Sequence, residues 1–279
     1  MTTALEWEGA VGDVWAREWR LTDRSFSGMT PALNAAILAA APTSGRAIDV
    51  GCGAGETSIT LARSRPNLDV GGVDICAALV GVARERADGL GNLSFAAGDA
   101  VELLPQLAPV DLLFSRHGVM FFADPVAGFT ALHRAMRPGA PIVFSCFREV
   151  ELNGWAKTLL EAVTGEPLRL AAGYAPGPFA FADPAFVVPM LEAAGWRGIE
   201  RQAVDFPYVA GEGADPEADA LAFFRAIGPT APLLRATPPD QREAAMARFA
   251  EVIAKHRDGD RVVFPAAAWI WAARAGEAA

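Results

Sequence analysis

A ten-residue stretch constrains this chain more than any other: Ala47-Ile48-Asp49-Val50-Gly51-Cys52-Gly53-Ala54-Gly55-Glu56. An apolar run passes through an acidic residue into three alternating glycines. Thr57-Ser58-Ile59-Thr60-Leu61-Ala62 then carries a helical pattern. Strand, tight turn and helix start are the parts of a nucleotide-binding βα loop. The glycines reach backbone dihedrals closed to other residues and let N–H groups stand against a ligand.

The pattern around this stretch is strand–helix alternation. Strand-like apolar runs lie at 47–50, 70–74, 93–97, 110–115 and 141–147, with helical periodicity at 56–65, 77–88, 100–107 and 125–136 between them. Such alternation predicts an α/β fold, a doubly wound and mostly parallel sheet. Turn signals punctuate it at Pro66-Asn67, Gly89-Leu90-Gly91-Asn92 and Arg137-Pro138-Gly139. Ahead of it, residues 1–45 read as a helical segment, with Trp7, Val11, Trp15 and Trp19 on one stripe. That stripe is either a helix packed on the core or a lid over a ligand mouth, with Arg17 or Arg20 reaching in. Beyond 147 the alternation stalls. A helix is expected from Asp183 as N-cap to Gly195, a strand at 199–209 and a last strand at 261–273. Residues 151–182 and 210–258, the latter with two helical patterns, read as cap insertions beside the sheet or as cover for its edge.

Asp74 ends the second strand, about 20 residues past the last glycine, where a ribose-binding acid is expected. Gly98-Asp99-Ala100 follows the third strand and Ser115-Arg116-His117-Gly118 the fourth. These converge at the carboxyl ends of parallel strands, where open sheets of this kind bind ligands. Asp49, Glu56, Asp74 and Asp99 surround a loop that itself contains no lysine or arginine. A pyrophosphate among them would cost kilocalories; a ligand with an ammonium and a sulfonium suits them. The spacing Gly-x-Gly-x-Gly-Glu also lacks the third glycine of the dinucleotide fingerprint and the lysine of a P-loop.

Asp49-Val-Gly51-Cys-Gly53-Ala-Gly55, Asp74, Gly98-Asp99-Ala100, Asp111-Leu-Leu-Phe-Ser115-Arg116 and Arg137-Pro138-Gly139 resemble, in order, the motifs of class I S-adenosylmethionine-dependent methyltransferases. The resemblance covers residues 46–147, the cofactor-binding core. It implies a seven-stranded sheet whose last strand is antiparallel, and S-adenosylmethionine as cofactor. Asp49, Gly51, Cys52, Gly53 and Gly55 would form the cofactor loop. Gly51 and Gly53 would face the methionine moiety, Asp74 with Ile75 the ribose, Asp99 between Gly98 and Ala100 the adenine, and Ser115 the methionine end. Ala140 departs from the second glycine usual after Arg-Pro-Gly.

For the transfer itself, Phe121, Phe122 and Trp19 are candidate aromatic faces for the cationic methyl. His117 is the candidate general base, its ordinary pKa lying near neutrality; packing against the cofactor is the alternative. His133 and His256 sit in helical patterns as surface or packing residues. There is no Asp/Asn-Pro-Pro-aromatic motif and no Pro-Cys pair of the DNA-methylating kind. With a net charge of −9, this favours a small-molecule acceptor at oxygen, nitrogen or carbon over a nucleic acid. A nicotinamide-dependent oxidoreductase and a non-catalytic cofactor-binding module are the competing readings. The three cysteines, Cys52, Cys76 and Cys146, show neither metal nor disulfide spacing. No signal peptide and no membrane span are read, so a cytoplasmic address is expected.

Overall fold

The computed structural model describes residues 7, 9–168 and 173–277. Three helices come first: α1 (Ala10–Arg17), α2 (Trp19–Phe26) and α3 (Thr30–Ala40). The alternating core follows as β1 (Gly45–Val50), α4 (Glu56–Ser64), β2 (Leu68–Asp74), α5 (Ala77–Arg86), β3 (Leu93–Ala97), α6 (Ala100–Leu107), β4 (Leu112–Arg116), α7 (Pro125–Ala135) and β5 (Pro141–Phe147). Then come α8 (Gly154–Thr164), α9 (Pro184–Ala193), β6 (Trp196–Glu212), α10 (Pro216–Ala226), α11 (Thr230–Ala236), α12 (Pro239–Lys255), the two-residue β7 (Arg257–Asp258) and β8 (Arg261–Ala275).

One sheet runs in the order β3-β2-β1-β4-β5-β8-β6, with β7 paired on β8. β1 to β5 are mutually parallel, and β8 alone is antiparallel to both its neighbours. That is the doubly wound arrangement expected, with the short β7 added. Residues 112–115 of β4 and 142–147 of β5 are buried throughout, as strands covered on both faces must be. At the edge, β3 buries only Phe95. The order reverses between β1 and β4, so the crevice at their carboxyl ends is where the topology puts a ligand.

Several sequence expectations move. The single N-terminal helical reading resolves into α1, α2 and α3; its residues 1–6 and 8 lie outside the described ones, as do 169–172 of the first cap segment. β6 begins at Trp196, three residues early, because that indole is fully buried and donates its Nε1–H to the Phe129 carbonyl at 3.1 Å. Residues 214–258 hold three helices, because Thr237-Pro238-Pro239 stops one and starts the next. The α9 start is as read: Asp183 Oδ1 accepts the Ala185 N–H at 2.8 Å, and Gly195 follows the helix at φ +95°. His133 packs edge-on against Trp196, and His256 stacks on Phe264 at 4.0 Å between centroids, both packing residues.

Candidate cofactor site and its neighbours

The loop between β1 and α4 is built as the glycines require. Gly51, Gly53 and Gly55 take φ values of +69°, +53° and +81°, which L side chains rarely adopt. Gly51 faces Gly118 so closely that a methyl on it would stand 2.9 Å from the Gly118 Cα, whereas one on Gly53 would meet nothing within 4 Å. The loop is therefore pinned at its first glycine and open at its second, a cradle that a ligand can fill.

Asp74 closes the other side. Its Oδ2 accepts the Gly53 N–H at 2.8 Å and its Oδ1 the Cys76 N–H at 2.9 Å, leaving each oxygen a lone pair. Burial raises its pKa, and the two backbone donors oppose that rise. Ile75 follows it at the β2 terminus. Asp99 behaves differently: it is exposed and caps α6 by accepting the Val101 N–H at 2.7 Å. Gly98 beside it has φ +149°, and Ala100 is buried as the first residue of α6.

Asp49 lies under the loop with no exposed surface. Its Oδ2 accepts from Ser58 Oγ at 2.7 Å and Thr57 Oγ1 at 3.1 Å, while Oδ1 has no partner. Burial pushes its pKa up to about 7, against the pull of those hydroxyls and of Arg116. Cys52, also buried, has its thiol pushed up by burial and by the nearby carboxylates of Asp74 and Asp49.

Ser115 is employed otherwise than the resemblance implied. Its hydroxyl donates to the Val50 carbonyl at 2.6 Å and accepts the Gly118 N–H at 3.2 Å. It clamps the β4 end to the β1 end rather than presenting itself to a ligand.

His117 is the one described non-glycine residue at positive φ, +58°. Its ring is buried between Phe26 (4.8 Å) and Phe147 (4.3 Å). Nδ1 pairs with Ser145 Oγ at 2.8 Å, and Nε2 is buried without a partner. Burial first, and the Arg116 charge second, lower its pKa to about 3. The imidazole is neutral at physiological pH and too weak a base to hold a proton there, which removes the reason for choosing it as the general base. The aromatic candidates are occupied as well. Trp19 carries the Arg86 guanidinium 3.8 Å and the Arg20 guanidinium 4.4 Å from its ring. Phe121 meets Trp7 edge-on and Phe122 meets Phe129.

What sequence reasoning missed is cationic. Arg86, at the end of α5, donates from Nη1 to the Ala54 carbonyl at 2.7 Å and from Nη2 to Asp23 Oδ2 at 2.8 Å. Arg116, at the end of β4, donates from Nη2 to Asp23 Oδ1 at 2.8 Å, and its Nη1 stands 3.6 Å from Glu56 Oε2. The loop is thus not ringed by carboxylates alone. Partners 32 to 93 residues apart, such as these, leave no local signal. Arg17 does not reach in: it is exposed and paired with Glu18.

Over all of this lie α1 and α2. Trp15 and Trp19 pack on a small cluster of Ala16, Ala54, Cys76 and Leu79, so the tryptophan stripe both packs and covers the loop. On its far side α2 is tied to the other half of the sheet, Arg24 donating to the Val209 and Ala210 carbonyls and pairing with Asp219.

Residues 43–169 match a family model described as a methyltransferase domain. Over that stretch, a little under half of its length, the chain is similar to methyltransferase domains. Among curated relatives, a tRNA (guanine-N(7)-)-methyltransferase of Ralstonia nicotianae is 35% identical over 48% of this chain and 57% of its own length. A trans-aconitate 2-methyltransferase of Deinococcus radiodurans is 36% identical over 33% of this chain and 34% of its own. The chain thus spans about half, or less, of the curated relatives it matches. The fold is that of the YcgJ protein of Bacillus subtilis, with TM-score 0.58 and 16% identity over 89% of this chain and all of that one. The open Gly53 cradle, the free lone pairs of Asp74 and the unpartnered Asp49 Oδ1 fit a ligand with the polarity of S-adenosylmethionine.

Proposed function

We propose that this protein transfers a methyl group from S-adenosylmethionine to a small, apolar or aromatic acceptor. When bound, the cofactor supplies a methyl on a sulfonium, whose charge is neutralised as the methyl leaves. The glycine loop with Asp49 and Cys52 holds the donor. Asp74 and Ile75 take its ribose, and Asp99, flanked by Gly98 and Ala100, takes its adenine through the oxygen not used in capping. The chain's remaining task is to align the acceptor and exclude water, and α1 and α2 exclude it by covering the mouth.

One observation carries the choice of acceptor. Next to the loop, at the ends of β4 and β5, His117 packs within a buried aromatic group. Phe147 packs on Trp155 at 4.9 Å, Trp155 stacks on Tyr208 at 5.0 Å and 12°, and Phe179 lies 6.0 Å from Trp155. Apolar surroundings of this kind, in a chain of net charge −9, suit a compact metabolite better than a phosphate backbone. Segments 151–182 and 210–258 act as the cap at this end. The unpartnered His117 Nε2 then hydrogen-bonds the acceptor without taking its proton.

Incubation with isotope-labelled donor and separated metabolite and tRNA pools tests the proposal. Label is expected in the small-molecule fraction; label confined to tRNA would replace it with the activity named for the Ralstonia relative. The histidine has its own check. Because its pKa is held near 3, the parent pH–rate profile should show no inflection near 6.5 that His117→Asn removes. Such an inflection would restore the base role.

A further inference from the structure

His117 and Ser145 are bonded to each other twice. The His117 N–H donates to the Ser145 carbonyl at 3.2 Å, and His117 Nδ1 pairs with Ser145 Oγ at 2.8 Å. The serine has no exposed surface and the histidine is only 7% exposed. A left-handed backbone at a histidine, φ +58°, is strained and persists only where its surroundings fix it. A neutral imidazole has one ring proton, so the pair admits two arrangements. Were Nδ1–H to donate to Ser145 Oγ, the serine proton and the Nε2 lone pair would both be buried without partners. No other bond to Ser145 Oγ exists among the described residues, and Nε2 has none. When Ser145 Oγ–H donates to Nδ1, only Nε2–H is left over. One unsatisfied buried group costs less than two, so Ser145 fixes the ring as the Nε2–H tautomer, a buried donor without an oxygen.

The surroundings narrow what that oxygen belongs to. Phe26 and Phe147 flank the imidazole at 4.8 Å and 4.3 Å, and Trp155 packs beyond Phe147. Among such rings a hydroxyl brings a second proton that needs its own acceptor, and a carboxylate buries a charge. A carbonyl oxygen satisfies the donor and adds nothing unsatisfied. We propose that His117, held by Ser145, is a specificity-determining donor that selects acceptor molecules with a carbonyl oxygen on an aromatic body. This rests on the reading of the protein as a small-molecule methyltransferase and narrows its substrate to one chemical class. Gly118, the next residue, packs against Gly51 of the glycine loop, so the imidazole stands beside the donor's cradle. His117 touches the substrate, and Ser145 acts through it as a positioning residue.

The chain has three histidines, so long-range proton–nitrogen NMR on the full chain with isotope-labelled histidine reads each ring's tautomer. At pH 7 His117 should be the Nε2–H form in the parent and in Ser145→Thr, while Ser145→Ala should admit a measurable share of Nδ1–H. The Nδ1–H form in the parent, or an unchanged ring in Ser145→Ala, overturns the tautomer lock. The parent measurement decides even if the threonine variant fails to fold. For the substrate class, acetophenone and α-methylstyrene, alike in shape with and without the carbonyl, are titrated against the parent saturated with S-adenosylhomocysteine. Acetophenone should bind about tenfold more tightly, the scale of one satisfied buried donor, and His117→Phe should abolish the preference. Equal affinities, or no shift of the His117 Nε2 resonance with acetophenone, overturn the carbonyl class. In labelled-donor incubations, methylated products without a carbonyl would also overturn it and leave small-molecule methylation standing. No small-molecule product at all would remove the reading beneath it.

Discussion

Replacing Asp74 by alanine is expected to weaken binding of S-adenosylhomocysteine by about a hundredfold or more and to lower stability at the same time. Both losses come from one carboxylate. In the parent it accepts the Gly53 and Cys76 N–H groups. Removing it orphans two backbone donors in a largely buried place, at about 1–3 kcal/mol each. Those bonds also hold Gly53 at its positive φ, so the cradle loosens as its ribose acceptor disappears. Asp74→Asn should fall between, since an amide offers one acceptor oxygen to two donors and turns an N–H toward the other. Asp99→Ala gives the contrast: an exposed helix cap is worth about 1 kcal/mol, and its loss should cost affinity only a few-fold. Calorimetry and urea denaturation on the same samples separate the effects. Equal affinities for Asp74→Ala and Asp99→Ala would mean that the buried acid does not hold the donor.

That ranking of the two acids shows where sequence reading stops. From spacing, Asp74 and Asp99 are equivalent strand-end acids; only the structure shows one buried across the loop and the other capping a helix in solvent. The strands were legible because β1, β4 and β5 are apolar runs bounded by glycine and proline turns, and the doubly wound, mostly parallel sheet followed from alternation. The β4 terminus was legible as a place but not as chemistry. Ser115 turns inward to Val50, Arg116 finds Asp23 and Glu56, and His117 is buried among rings brought from α2 and β5. A histidine's ordinary pKa says nothing of such burial. Likewise, the electrostatic argument from an acidic loop counted only the charges near it in sequence, and Arg86 and Arg116 arrive through the fold. Asp49 adds less negative charge near neutrality than its identity implies, since burial keeps it partly protonated there.

That protonation gives the other large effect. An aspartate titrates near 3.9 in the unfolded chain, and burial raises Asp49 to about 7 in the folded one. Below pH 4 both states hold the proton. Between 4 and 7 the unfolded state has released it and the folded state keeps it, so stability falls as pH rises through that window and levels off above about 7. The difference in pKa corresponds to on the order of 4 kcal/mol. Asp49→Asn carries no titrating group, so it should match the parent at pH 4 and exceed it by several kcal/mol at pH 8. Subtracting the two urea-denaturation curves at each pH cancels the other carboxylates. A cationic donor favours the ionised form, so in the parent binding should release a proton and strengthen as pH rises from 6 to 8. In Asp49→Asn that rise should flatten. A stability difference constant from pH 4 to 8 would show that Asp49 titrates alike in the folded and unfolded chain, the Ser58 and Thr57 hydroxyls and the Arg116 charge offsetting its burial.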